Sequence, residues 1–258
     1  MQQHQAVQQH QTLVAVVTGA SSGLGAAVAE GLARQGWSLV IDGRDPGPLA
    51  EEAERLGALA GPATVASVVG DVADPDHRHQ LGAAVGNLGR VDMVVLNASI
   101  LGPSPQPRLA DYPLDALRAV YEVNTIAPLA VLQDLTPLLR AAPAPRVIAI
   151  TSDAAVAPYT GWGGYGSSKA ALEQLGAIWG AEQPWCRTWT VDPGDLRTRL
   201  HQQAFPGEDI SDRPEPATVV PALLHLIGSD RPSGRVRLAD IALPPSGERP
   251  SGETEPVR

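Results

Sequence analysis

The chain has 258 residues, 43% hydrophobic and 18% charged, enough to build one large α/β core or two small ones. Its formal net charge of −9 speaks against nucleic acid or an anionic membrane surface as a partner. The single cysteine, Cys186, excludes an internal disulfide and a cysteine cluster for a metal, and no metal site is expected.

Residues 1–11, rich in Gln and His and including His4 and His10, lack the charged start and apolar stretch of a signal peptide and read as a disordered tail. An apolar run, 13–18, is the first strand, and 24–35 the first helix, closed by Gly36. A second strand follows at 38–42, then a helix from Pro48 to 56, since proline is tolerated in a first turn. The third strand is 64–69. The next helix, 76–85, has Asp74 or Asp76 near its N-cap. After a fourth strand at 91–96, a long helix spans 114–139, where Pro128 and Pro137 predict kinks or a break. A fifth strand at 147–151, a helix at 165–181, a sixth strand at 187–191, a helix at 217–227 and a short last strand at 236–239 complete the series. Cys186 reads as partly buried filler before the sixth strand. Residues 243–258 are nearly free of apolar side chains and read as a second disordered tail. Strand-helix units repeated without a break over 12–242 imply one domain, a doubly wound parallel sheet of the Rossmann type, with ligands beyond the carboxyl ends of the strands. No apolar run is long enough to span a membrane, and a cytoplasmic protein is expected.

Between the first strand and first helix stands Thr18-Gly19-Ala20-Ser21-Ser22-Gly23-Leu24-Gly25. Glycines let backbone approach a pyrophosphate, and a helix N-terminus offers unpaired N–H groups and partial positive charge. The plain alternative is a tight turn. Later, Tyr165 and Lys169 stand four apart and share one face of a helix. A phenol of ordinary pKa ~10 is a poor proton donor and acceptor at neutral pH, and a neighbouring ammonium favours the phenolate.

The Thr-led Gly-x-x-x-Gly-x-Gly spacing, followed in order by Asn97-Ala98-Ser99, Ser152 and Tyr165-Gly166-Ser167-Ser168-Lys169, resembles the short-chain dehydrogenase/reductase family across residues 13–240. The resemblance implies hydride transfer between a nicotinamide cofactor and a carbonyl or secondary alcohol. Tyr165 would exchange the proton, Lys169 tune it and hold the ribose, Ser152 steady the substrate oxygen, and Asn124 bind a relay water. For the last two, the plain alternatives are a turn cap and a kink-stabilising residue. The implied cofactor contacts are Thr18, Gly19, Ser21, Ser22, Gly23, Leu24, Gly25, Arg44, Asp71, Val72, Asn97, Ala98, Tyr165, Lys169, Pro193, Gly194, Leu196 and Thr198. Asp71 would meet the adenine edge, its alternative being an ordinary turn residue. Ser99 replaces the family's glycine.

The discriminating position after the second strand falls on Gly43, beside Arg44, so Asp42 points elsewhere and NADP(H) is preferred over NAD(H). The alternative makes Asp42 the ribose ligand and the cofactor NAD(H). Asp195 is expected to pair with Arg197 or Arg199, its alternative being a substrate contact, and His201 to face solvent. An apolar wall of Ala154, Val156, Pro158, Tyr159 and Trp162, with a lid over 199–216, suits a small to medium ketone, aldehyde or alcohol. A homodimer or homotetramer is expected, although Asp240-Ile241-Ala242 departs from the family's ending. The rival readings are a cofactor-sensing regulator without catalysis, and an epimerase or dehydratase, for whose extra substrate domain the chain has little room.

Overall fold

The computed structural model describes residues 12–243; the expected tails, 1–11 and 243–258, lie outside these residues except for Leu243. Strands β1 (Val14–Val17), β2 (Ser38–Gly43), β3 (Val65–Val69), β4 (Met93–Leu96), β5 (Arg146–Ile150), β6 (Arg187–Asp192) and β7 (Gly234–Arg237) form one sheet. All neighbours pair in parallel, in the order β3-β2-β1-β4-β5-β6-β7. Period-two alternation sorts the strand residues to two faces. Val17, Ile41, Val95 and Ile148 pack against α1 (Gly23–Arg34), α2 (Pro46–Ala60) and α8 (Val220–Gly228). Val16, Val40, Val94 and Val147 pack against α3 (Pro75–Gly86), α5 (Ala127–Arg140) and α6 (Gly163–Glu182). The inner strands β1 and β4 are buried along their whole length, as continuous apolar runs require in a sheet covered on both sides. The chain order reverses between β1 and β4, which opens a crevice at their carboxyl ends.

Asp74, not Asp76, caps α3, accepting from the Asp76 N–H at 2.9 Å. The long helix expected over 114–139 divides into α4 (Leu114–Tyr121), a π turn (Glu122–Ile126) and α5. Pro128 has no N–H for the carbonyl of Asn124 four residues back, and the wider π turn lies at that mismatch. Pro137 sits inside α5 without ending it. A short helix, α7 (Arg199–Ala204), occupies the expected lid, with the Thr198 hydroxyl accepting from the His201 N–H at 3.1 Å. The last strand lies earlier than expected, and residues Leu238–Asp240 form a 3-10 turn. Among the described residues no helix is long and apolar enough to cross a membrane.

Candidate active site

A cleft of about 590 Å³ lies at the carboxyl ends of the strands. Gly19, Ser21, Ser22, Gly23, Leu24, Arg44, Asp71, Val72, Asn97, Ala98, Pro193, Gly194, Leu196 and Thr198 line it, together with Ser152, Tyr165 and Lys169. Thr18, Gly25 and Asn124 stand behind the wall. The Thr18 hydroxyl donates to the Val95 carbonyl (3.3 Å) and accepts from the N–H groups of Asn97 (3.0 Å) and Ala98 (3.1 Å). A Cβ on Gly25 would lie 2.3 Å from the Gly19 carbonyl oxygen, so only glycine lets α1 come this close to the turn. The Asn97 amide donates to the carbonyls of Thr18 (2.9 Å) and Gly19 (3.0 Å). The N-cap Ser22 makes no side-chain hydrogen bond, which leaves the first-turn N–H groups of α1 without a side-chain acceptor at a cleft wall. Backbone donors, absent Cβ atoms and the absence of a carboxylate in the turn fit a dinucleotide pyrophosphate.

At the far end of this half, Arg44 is exposed on the rim. Asp42 is buried and turned to the glycine turn. Its Oδ1 accepts from the Gly19 N–H at 2.6 Å, and its backbone oxygen from the Ala20 N–H at 2.9 Å. Asp71 accepts from the Ala73 N–H at 2.9 Å, an ordinary turn contact, while remaining on the cleft wall.

Lys169 is 1% exposed, its Nζ donates to the Ile150 carbonyl at 2.8 Å, and it lies 5.6 Å from the Tyr165 ring centroid. Burial pulls its pKa down to about 7. Burial pushes the Tyr165 phenol well above the ordinary tyrosine range; hydrogen bonding with Ser99 opposes this, and the charges of Asp153 and Asp192 add to it. The expected lowering by a lysine ammonium is therefore not the balance in this cleft, because desolvation acts against both charged forms. The Asn124 side chain is saturated by protein. Its amide donates to the Ile100 carbonyl (2.9 Å) and Ser168 Oγ (3.0 Å), and its oxygen accepts from the Ile100 N–H (2.9 Å) and Ser99 Oγ (3.1 Å). Ser152 donates to Asp153 Oδ1 at 2.9 Å and accepts from the Ala154 N–H at 3.2 Å, capping a 3-10 turn, while the Tyr159 hydroxyl holds Asp153 Oδ2 at 2.8 Å.

Two contributions were not legible in the motifs. Ser99, which reads in the sequence as an intrusion, donates to Asn124 Oδ1 and opposes the upward shift of Tyr165; its signal was its departure from glycine. Asp192 Oδ1 accepts from the Gly194 N–H (3.0 Å), and its Oδ2 accepts from Arg235 (3.0 Å), whose Nε reaches Glu173 Oε1 (3.0 Å). Glu173, four residues past Lys169, was the visible half of that cluster.

The substrate side differs from expectation. Asp195 pairs with Arg213 at 3.9 Å, and Arg197 with Glu215, because the chain at 213–215 folds back over this loop. His201 is buried rather than solvent-facing, its ring 4.9 Å from that of Phe205. Leu101, Trp162 and Leu200 line the cleft beside Tyr165, with the Trp162 ring 5.8 Å from Tyr165 and 6.0 Å from Phe205. Val156, Pro158 and Tyr159 lie outside the wall on an exposed turn.

A doubly wound sheet with its cleft at the switch point, bounded by a glycine turn at one end and a buried Tyr-Lys pair at the other, defines the class of protein. Residues 13–209 match the family described as short chain dehydrogenase, and the chain belongs to that family. It is 39% identical over 191 residues to 1-deoxy-11-beta-hydroxypentalenate dehydrogenase of Streptomyces arenae, covering 72% of this chain and spanning only 63% of that enzyme. It is 30% identical over 220 residues to the uncharacterized oxidoreductase YciK of Escherichia coli (strain K12), covering 84% of this chain and 86% of that protein. A short chain dehydrogenase from Shigella flexneri, solved in complex with NADP, superposes with a TM-score of 0.81 at 28% identity, over 87% of this chain and 95% of that one.

Proposed function

We propose that this chain is an NADP(H)-preferring oxidoreductase acting on the carbonyl or secondary alcohol of a small to medium apolar molecule, with reduction the working direction. The observation that carries the reading is one continuous cleft joining the glycine turn to Tyr165 and Lys169. A nicotinamide held in this cleft would supply or accept the hydride. The N–H groups of Gly23 and Leu24 would hold its pyrophosphate, and the exposed guanidinium of Arg44 would pair with a 2′-phosphate. The Tyr165 hydroxyl gives its proton to the substrate oxygen as the carbonyl becomes an alcohol, and takes one in reverse. Lys169, with a pKa near neutrality, holds and returns a proton beside it. Asn124 keeps the 99–100 backbone in place. Ser152 serves the substrate oxygen once its hydroxyl turns from Asp153. The wall of Leu101, Trp162 and Leu200 excludes water and suits an apolar skeleton. The Streptomyces arenae relative, a dehydrogenase of a hydroxypentalenate, and the NADP complex of the Shigella flexneri structure support both halves of the reading.

Thermal melting with NADPH and with NADH, followed by a carbonyl panel assayed with wild type and Tyr165→Phe, tests it. Selective stabilisation by NADPH and turnover abolished in Tyr165→Phe support it. Stabilisation by neither nucleotide overturns it. Binding without turnover on any carbonyl assigns the chain to cofactor sensing.

A further inference from the structure

Asp42 stands one residue before the end of β2, where the alternative reading makes it the ribose ligand that would select against a 2′-phosphate, yet neither of its oxygens is free. Oδ1 accepts from the Gly19 N–H at 2.6 Å, and Oδ2 lies 3.1 Å from Nε2 of His77 on α3. Asp42 and His77 are 1% and 2% exposed. A carboxylate only accepts, so the imidazole carries a proton on Nε2, while Nδ1 has no partner among the described residues. Space for the ring is made by Gly70, where a Cβ would fall 2.2 Å from His77 Nδ1. Asp42, Arg44 and Gly70 line the same end of the cleft.

We propose that His77 is a specificity-determining positioning residue: by holding Asp42 Oδ2 inward it converts a strand-end carboxylate from a ribose ligand into a brace for the glycine turn, and so preserves the site for a 2′-phosphate. The proposal rests on the dinucleotide reading above. Without His77, the Asp42 Oδ2 has lost its donor and turns to the open end of the cleft, which Asp42 already lines. There it repels a 2′-phosphate and accepts from a 2′-hydroxyl.

The test is the ratio of NADPH to NADH dissociation constants, measured by calorimetric titration of the full-length protein. In His77→Leu, NADPH binding weakens about tenfold or more while NADH binding holds or tightens, the size expected of a like-charge contact. His77→Gln, which keeps an N–H donor, stays near the wild-type ratio. Asp42→Asn added to His77→Leu removes the charge and restores the preference for NADPH. A His77→Leu protein with the wild-type ratio overturns the proposal. So does an equal weakening of both nucleotides, which would mark a merely structural pair. Should His77→Leu not fold, Gly70→Ala displaces the ring without deleting it and has to lower the same ratio; an unchanged ratio sinks the idea. Failure of wild type to bind either nucleotide is a separate result, because it needs no variant and defeats the dinucleotide reading itself.

Discussion

Tyr165 and Lys169 share one buried corner, and desolvation moves their titrations in opposite directions. Lys169 falls from an ordinary 10.5 to about 7. Between those values the unfolded chain binds the proton and the folded chain does not, so this residue makes stability rise with pH across that window and fall towards pH 7. Melting curves of Lys169→Met and wild type should therefore differ most at pH 7 in favour of the variant, and the difference should shrink by pH 9.5. Ser99 opposes the upward shift of Tyr165 by hydrogen bonding. In Ser99→Gly the phenol goes higher still, and the limb of the pH–rate profile that belongs to Tyr165 moves to higher pH with a lower kcat. At the other end of the cleft, Arg44→Asp should weaken NADPH about tenfold or more and NADH far less, read by separate titrations.

Between elements, the decisive contacts are carboxylates at strand ends that hold glycine N–H groups. Asp192 at the end of β6 holds Gly194, and Arg235 on β7 links it to Glu173 on α6. The Arg235 guanidinium also lies 3.4 Å from the Ser152 carbonyl. One side chain from an edge strand thus braces the Pro193-Gly194 turn, the Ser152 backbone and the helix that carries Tyr165 and Lys169. Arg235→Met leaves two carboxylates uncompensated. A cost of roughly 2 kcal/mol is expected, below that of breaking a fully buried pair because Arg235 retains solvent contact. Denaturant unfolding checks the stability loss. Steady-state kinetics should show lower kcat along with it, a split that an ordinary surface substitution would not produce. The π turn belongs to the same scale. Pro128 marked the place of an interruption, but the sequence did not reveal that the widened turn would present Asn124 to the 99–100 backbone.

For the whole molecule, the cleft runs from the rim at Arg44, across the switch point, to the Thr198 loop. A ligand filling it would join the β1–β3 half of the sheet to the β4–β6 half. At a hundredfold excess over its Kd, NADPH should add about 2.7 kcal/mol to the folded state. For a chain of this size that is a rise in Tm of roughly 5–10 °C, checked by a melting series in NADPH concentration. The doubly wound class, the order of strands and helices, the glycine turn and the shared face of Tyr165 and Lys169 were all legible along the chain. They depend on apolar periodicity, on backbone sterics at glycine and proline, and on residues a few positions apart. The helix inside the lid leaves little trace in the sequence, because six residues with Pro and Gly around them carry little periodic signal; its cap, Thr198, stands among the implied cofactor contacts. The tertiary structure alone decided which base meets each carboxylate: His77 lies 35 residues from Asp42, and Arg235 lies 43 from Asp192. It also decided that Asn124 is saturated by protein, and that Tyr165 is pushed up rather than down. Those outcomes depend on partners brought together from distant segments and on the removal of water around them, and neither is set until the chain has packed.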